Sequence, residues 1–474
     1  MRELKEPFYK ICIPIIFFLC CLIMTAYTLN SPFHLFNNWS DVNGNLTLGR
    51  CILNGIVPYR DLMEQRGPLL YLLHALAALI SPDNFRGVWV LELGICLIAF
   101  YYFAKILLLY ERRTALFLLP GLAYLLYSSR SFGLGGSPEE FCLPCIASSL
   151  YIQIRALKEG RTLTFREYCS IGIASGAVLW MKYSMVGFYL GAVIPVLFDI
   201  IFRRKQIKKV GTLLCGVGTG VLIISLPVLI YFMANHALAD LFHVYFYINL
   251  TYYPANDSLL YKLYFAVLGV LETIRQNWKF WVLILIGLIQ MIRIEKKRLI
   301  IVTIIFGAAL LAITVYAGGQ GFVYYGFILS VFAVFGLLVM PNMKKPAECV
   351  LLLAGAVLTG MVNYKTYQKT RGDTLDHYAQ YRFAQKMKPG STLLTYYILD
   401  NGFYMASHTL PSEYYPWSLN VMTEEIWKEQ DTYLLEGRTD YVVCEDKDVE
   451  THDTAHRYQL IDEYDGYYLY EKVK

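Results

Sequence analysis

Apolar runs of membrane length recur along almost the whole chain, and they constrain the fold more than any other feature. A bilayer core needs about 20 apolar residues to cross it as a helix, or about 17 at the short end. Eleven runs meet or approach that length: approximately 8–27, 88–110, 114–129, 141–155, 168–182, 185–202, 210–233, 278–292, 299–316, 322–340 and 347–363. With 56% hydrophobic and 17% charged residues and a mean hydropathy of +0.42, an ordinary soluble protein is excluded. In lipid the backbone must satisfy its own hydrogen bonds. The expected fold class is therefore an all-α polytopic membrane protein with about eleven transmembrane helices. The first run is too long for a signal h-region and no small-residue cleavage site follows it, so it reads as a retained anchor.

Charge parity sets the expected orientation, because Lys and Arg accumulate on the cytoplasmic side. Arg2, Lys5 and Lys10 put the amino end inside. The apolar stretch 68–81 is short for a span. Read as a surface helix, it leaves Arg112-Arg113, the basic residues of 155–166 and Arg203-Arg204-Lys205 all inside. The stretch 259–274, interrupted by Lys262 and Glu272, reads as non-spanning for the same reason. An integral plasma-membrane protein with a cytoplasmic amino end results. Its residues 1–363 form the membrane domain, with an outer loop at 28–87. Residues 364–474, richer in charge, form a small extracytoplasmic α/β domain, with strand-like pieces at 391–398, 440–443 and 467–470 and helices at 374–387 and 423–435.

Other signals are bland. The net charge of +5 is spread over short basic clusters, which gives no face for nucleic acid. The eleven cysteines have no framework spacing, and Cys142 and Cys145 head an apolar run where packing is the simpler reading. The eight histidines form no ligand pattern, so neither a metal nor another cofactor is expected. The sequons at Asn38, Asn45, Asn249 and Asn256 read as coincidental.

Charges beside a bilayer are costly, and chemistry or ligand binding is their usual justification. The first outer loop holds Asp41, Tyr59, Arg60, Asp61 and Arg66. The second holds Glu139 and Glu140 behind a glycine-rich, flexible run, Gly133-Leu134-Gly135-Gly136. Lys182 ends a span on the same face, and Tyr324 and Tyr325 follow the glycine loop 318–321. A carboxylate can take a proton from an attacking hydroxyl, and Arg or Lys can hold a departing phosphate. Each residue also has a structural reading. Asp41 is equally compatible with a helix N-cap, Arg66 and Lys182 with snorkelling at the interface, and Glu139-Glu140 with a helix dipole. Asp61 reads as a structural partner of Arg60 or Arg66.

Three features together resemble the GT-C superfamily of membrane glycosyltransferases, near the protein O-mannosyltransferases and the lipid A aminoarabinose transferase. They are Asp41 followed by Gly55-Ile56-Val57-Pro58-Tyr59-Arg60-Asp61 and Arg66-Gly67-Pro68; the acidic pair in Gly136-Ser137-Pro138-Glu139-Glu140; and the basic span end Trp180-Met181-Lys182. The resemblance implies that Asp41 is or orients the general base, with Glu139 or Glu140 as a second acid. It implies that Arg66, where relatives often have lysine, contacts the carrier phosphate. Lys182, Tyr59, Arg60, Tyr324 and Tyr325 complete the candidate donor-binding set, although relatives often carry a His-Tyr pair where this chain has two tyrosines. The implied reaction moves a sugar, with inversion, from a polyprenyl-phosphate donor to a hydroxyl of a glycan, lipid or protein acceptor on the outer face. A lipid-linked saccharide flippase predicts charges near the middle of spans and inverted repeats, whereas the central parts of these runs are nearly free of charge and no inverted repeat is seen. A wall-polymer polymerase or ligase shares the donor and differs in its acceptor.

Overall fold

The computed structural model describes residues 6–252, 258–318, 321–420 and 423–473. The sequon at Asn256 and the Gly319-Gln320 part of the glycine loop lie outside them. Two compact units are built from interleaved segments: one from Met1–Thr28, Leu91–Val228 and Asp257–Lys369, the other from Leu29–Val90, Leu229–Asn256 and Thr370–Lys474. The apolar runs fold as helices, in chain order α1 (Pro7–Tyr27), α2 (Ser40–Leu53), α3 (Pro68–Ile80), α4 (Arg86–Leu109), α5 (Leu119–Tyr127), α6 (Pro138–Glu159), α7 (Phe165–Lys182), α8 (Gly187–Phe198) and α9 (Lys208–Ala234). Helices Leu259–Gln276, Trp278–Ile294, Arg298–Tyr316 and Lys345–Thr370 follow, with a 3-10 run at Val323–Val339.

Among the described residues six helices are long and apolar enough to cross a membrane, fewer than the eleven runs expected from sequence. The difference lies in how the remaining runs reach their length. The stretch Phe165–Arg203 counts as one by composition, but at Lys182 its backbone becomes extended (φ −159°, ψ 95°). Beyond its far end, Arg204 Nη1 donates to the carbonyl of Gly160 at 3.0 Å. A straight helix of that length would separate its ends by roughly 60 Å, so it is two runs that return to one end, with Lys182 at the apex. Val323–Val339 has 17 residues, yet the 3-10 rise of about 2.0 Å stretches it to about 34 Å, enough for a bilayer core. Helix α6 is long but opens with Glu139 and Glu140 and carries Arg155 and Lys158, which lower its mean apolarity.

Helix Leu259–Gln276, expected not to span, meets Trp278–Ile294 at a corner of 107°. Asn277 fixes the corner: its Nδ2 donates to Ser131 Oγ at 2.8 Å and its Oδ1 accepts from the Ser131 N–H at 3.0 Å.

In the second unit, α3 is a 13-residue helix started by Gly67-Pro68, with proline at the position where its missing N–H costs nothing. It packs on α2 so closely that a Cβ on Gly49 would lie 2.4 Å from the backbone of His74. The C-terminal residues form a mixed sheet of β1 (Leu393–Thr395), β2 (Tyr441–Glu445), β3 (Tyr458–Tyr464) and β4 (Tyr467–Lys472), in the order β1-β2-β4-β3. The three expected strands are present. The fourth, β3, was missed, although Asp465-Gly466 with φ of 52° and 80° is the two-residue hairpin signal of a type I′ turn. Helix Glu424–Glu436 also follows expectation: Thr423 Oγ1 caps it by accepting from the Ile426 N–H, and Gly437 ends it in the left-handed region. The helix expected at 374–387 is instead two short pieces, Leu375–His377 and Ala379–Ala384. Leu394, Tyr396, Leu434, Val442 and Tyr470 make the core between sheet and helix.

Candidate active site

The asparagine-rich turn before α2 delivers Asp41. Asn37 Oδ1 accepts the Trp39 N–H at 2.9 Å, and Asn43 Nδ2 donates back to the carbonyl of Asn37 at 2.8 Å. The cap position falls on Trp39, with no side-chain cap. Asp41 therefore lies inside the first turn and is not the N-cap. Its carboxylate turns to Arg66: Nη2 donates to Asp41 Oδ1 at 2.5 Å. The other arm of the guanidinium, Nη1, is 2.9 Å from Glu64 Oε2, which also accepts the Trp417 indole N–H at 3.1 Å. One guanidinium between two carboxylates leaves this trio with a formal charge of −1. Glu64 is 2% exposed, and a charge so buried persists only when paired and hydrogen-bonded.

Tyr59 supports this cluster from behind. It is fully buried at a φ of 71°, and its hydroxyl donates to the carbonyl of Arg66 at 2.5 Å. Its ring stacks on Phe232 at 5.5 Å. Its hydroxyl is thus committed to the backbone of Arg66. Arg60 binds Asp61 at 2.7 Å and donates to the carbonyl of Asn235 at 2.6 Å. Asp61 also accepts the Val57 N–H at 2.7 Å. The Arg60 guanidinium holds the Asp61 carboxyl below the usual range, as suits a structural pair.

In the other unit, Ser137 caps α6 by accepting from the Glu140 N–H, and Glu139 occupies the first turn. Lys182 Nζ lies 2.5 Å from Glu139 Oε1 and 3.4 Å from the centroid of the Tyr325 ring, with Tyr324 at 5.4 Å. Glu139, Lys182, Tyr324 and Tyr325 are therefore brought together. Glu140 is not part of that group, because neighbours on a helix point about 100° apart. It accepts the Gly136 N–H at 2.9 Å and shares a hydrogen bond with Glu92, which in turn accepts the Thr28 hydroxyl at 2.9 Å. Both carboxyl groups are fully buried. The glycine run is not a flexible tether. Gly135 sits at φ +87°, and a Cβ there would lie 2.1 Å from Thr28 Oγ1 and 2.5 Å from Glu92 Oε1. The glycines let the backbone pass over the acid pair.

Residues 65–231 match the family model for dolichyl-phosphate-mannose-protein mannosyltransferase. No curated protein matches the chain by sequence. The structure is similar to that of ArnT from Cupriavidus metallidurans bound to undecaprenyl phosphate, with a TM-score of 0.61 at 12% identity over 99% of this chain and 98% of that one. It is also similar to the same protein in the apo state, with a TM-score of 0.60 at 12% identity over 95% and 96%. The chain has the GT-C fold.

The matched segment begins at Gln65 and takes in Arg66, Glu139 and Lys182. Asp41 precedes it, and Tyr324 and Tyr325 follow it. Sequence reading missed Glu64, although it stands two residues before Arg66 in a loop already rich in charge. It also missed Glu92, hidden as a lone acid in an apolar run, and Trp417, which nothing local marks. Asn45 was read only as a sequon. It is fully buried, one helical turn beyond Asp41, and its amide has no hydrogen-bond partner among the described residues, so it is a polar group on the same helix face as Asp41.

Proposed function

We propose that this protein is a glycosyltransferase that moves a sugar from a polyprenyl-phosphate-linked donor to an acceptor hydroxyl at the outer membrane face, with inversion. The carrying observation is the Asp41–Arg66–Glu64 trio, a carboxylate and a guanidinium in contact in a chain of GT-C fold. ArnT, the similar structure, is bound to undecaprenyl phosphate, which supports a lipid-phosphate donor here.

In this reading the acceptor hydroxyl attacks the anomeric carbon from the face opposite the phosphate. Asp41 takes the hydroxyl proton as the new glycosidic bond forms. The bond from the anomeric carbon to the phosphate oxygen breaks, and its electrons leave with the phosphate. Arg66 turns a donor arm to those oxygens, a charge-assisted and bidentate mode that guanidinium suits. Lys182, in the other unit, is proposed separately as a phosphate-binding residue. Glu139 holds the Lys182 ammonium and Tyr325 covers it. Asn45 is a candidate for contact with the sugar or the acceptor from the α2 face that carries Asp41.

Asp41→Asn tests the reading. The side chain keeps its shape and can still accept from Arg66, but it no longer serves as a base. Transfer to lipid-linked or surface glycan acceptors should fall about 100- to 10,000-fold with insertion and melting unchanged. Full activity in that variant overturns the mechanism.

A further inference from the structure

A polar cleft of about 350 Å³ opens in the unit that carries the C-terminal sheet, close to the lower end of the roughly 300–1,000 Å³ typical of small-molecule sites. Tyr397, Asn401, Ser418, Asn420 and Glu445 contribute to its lining, with apolar side chains between them. Neither Lys nor Arg is among its lining residues, and Glu445 repels anions, so a phosphate is a poor fit. Amide, hydroxyl and carboxylate groups over a partly apolar floor suit a neutral polyhydroxylated ligand.

Two observations point to a ligand. Ser418 lines the cleft and is 8% exposed, and its buried Oγ has no hydrogen-bond partner among the described residues. Tyr397 is held at φ +60°, a conformation that a bulky residue keeps only when its surroundings over-determine it, as at binding sites. Those surroundings are visible. The Tyr397 ring stacks on Tyr396 at 4.0 Å and meets Trp427 edge-on at 4.3 Å, and its hydroxyl donates to Asp431 at 2.6 Å.

A peptide fits less well. The free edge of β1 is already covered, since the Thr395 N–H donates to the carbonyl of Pro416 and the Ser418 N–H to that of Ile398. Strand addition, the common mode for an extended peptide, therefore has no edge to use on the β1 side, where the cleft lies; the sheet's other edge strand, β3, contributes no lining residue. The cleft is also tied to the Asp41 cluster within its own unit. Trp417 donates to Glu64 while the next residue, Ser418, lines the cleft. Asp400 accepts from Thr47 on α2 at 2.6 Å.

We propose that this cleft is a saccharide-binding subsite that holds a sugar unit of the acceptor. The acceptor assignment rests on the transferase reading above, whereas saccharide binding itself does not.

The test is saturation-transfer NMR on the full chain in nanodiscs, free of sugar-based detergent, with methyl glycosides of glucose, galactose, N-acetylglucosamine and rhamnose as probes. Transfer to the ring protons of at least one glycoside is expected. It should fall at least fivefold in Ser418→Ala and in Asn420→Ala, each with wild-type melting, and persist in Asp41→Asn. No transfer to any glycoside, equal transfer in both variants, or transfer only to a tetra-alanine peptide would overturn the proposal. Loss of glycosyl transfer in Asp41→Asn with the glycoside signal intact separates the two readings. So does the reverse result.

Discussion

Trp417 donates its indole N–H to Glu64 at 3.1 Å, across 353 positions of sequence. That bond makes the C-terminal residues part of the support for Arg66, because the same Glu64 oxygen faces the guanidinium at 2.9 Å. Removing one partner of a buried pair leaves the other uncompensated, at a cost of about 3–5 kcal/mol. Glu64→Ala should therefore lower the melting temperature and transfer together. Glu64→Gln keeps an acceptor for the indole and should recover most of the stability but not the placement of Arg66. Melting curves and transfer rates of both variants check this, and equal stability of the two would refute it.

Arg66→Ala removes the donor arms assigned to the phosphate. Its expected signature is weaker binding of a polyprenyl-phosphate lipid, with acceptor affinity unchanged. Arg66→Lys keeps one charge but not the fork that reaches Asp41 and Glu64 together, so an intermediate loss is expected. Titration with undecaprenyl phosphate measures the effect. A defect confined to the acceptor would contradict the assignment.

Lys182 and Glu139 should behave as a pair. Glu139 is fully buried while Lys182 is one-fifth exposed, so Lys182→Met takes the cation from a buried carboxylate, at a cost of about 3–5 kcal/mol. Combining it with Glu139→Gln should restore stability by removing that charge. Transfer should stay low in the double variant, since the proposed phosphate-binding residue is gone. Melting temperatures measured beside activity separate these effects, and recovery of both would show that the pair is only structural.

Burial raises the Asp400 carboxyl from 3.8 to about 6, against the lowering effect of its bonds to Thr47 and the Gly402 N–H. An acid with a raised folded value binds its proton more tightly in the folded state than in the unfolded one. Stability from this group is therefore full below about pH 4 and declines as pH rises through about 6. The loss is on the order of 3 kcal/mol at 1.36 kcal/mol per unit. Asp400→Asn should remove this slope. Melting of the two proteins from pH 4 to 7 should diverge, with the wild type losing ground as pH rises; parallel curves would exclude the effect.

How far the sequence could be read depended on how local the deciding interactions are. The helices at 8–27, 88–110 and 210–233, and the capped helix after Thr423, follow from apolar length and capping chemistry within a few residues. The Asp465-Gly466 hairpin is equally local, but β3 before it alternates weakly, with only Gln459 and Glu463 exposed. Adjacent Glu139 and Glu140 could have been assigned to different partners from helix geometry alone, although which partner each meets could not.

By itself, then, the sequence determined a helical membrane chain, a charged first loop with Asp41 and Arg66 in it, and a small C-terminal α/β part. Hydrophobic length and backbone propensity act along the chain, so a linear reading captures them. Only the tertiary structure decided that Arg66 sits between Asp41 and Glu64, that Trp417 secures Glu64, and that Lys182 meets Glu139 while Glu140 turns to Glu92. Those pairings are fixed by packing, because a buried charge is tolerable only where distant segments bring it a partner, and nothing near it in sequence says which segment that will be.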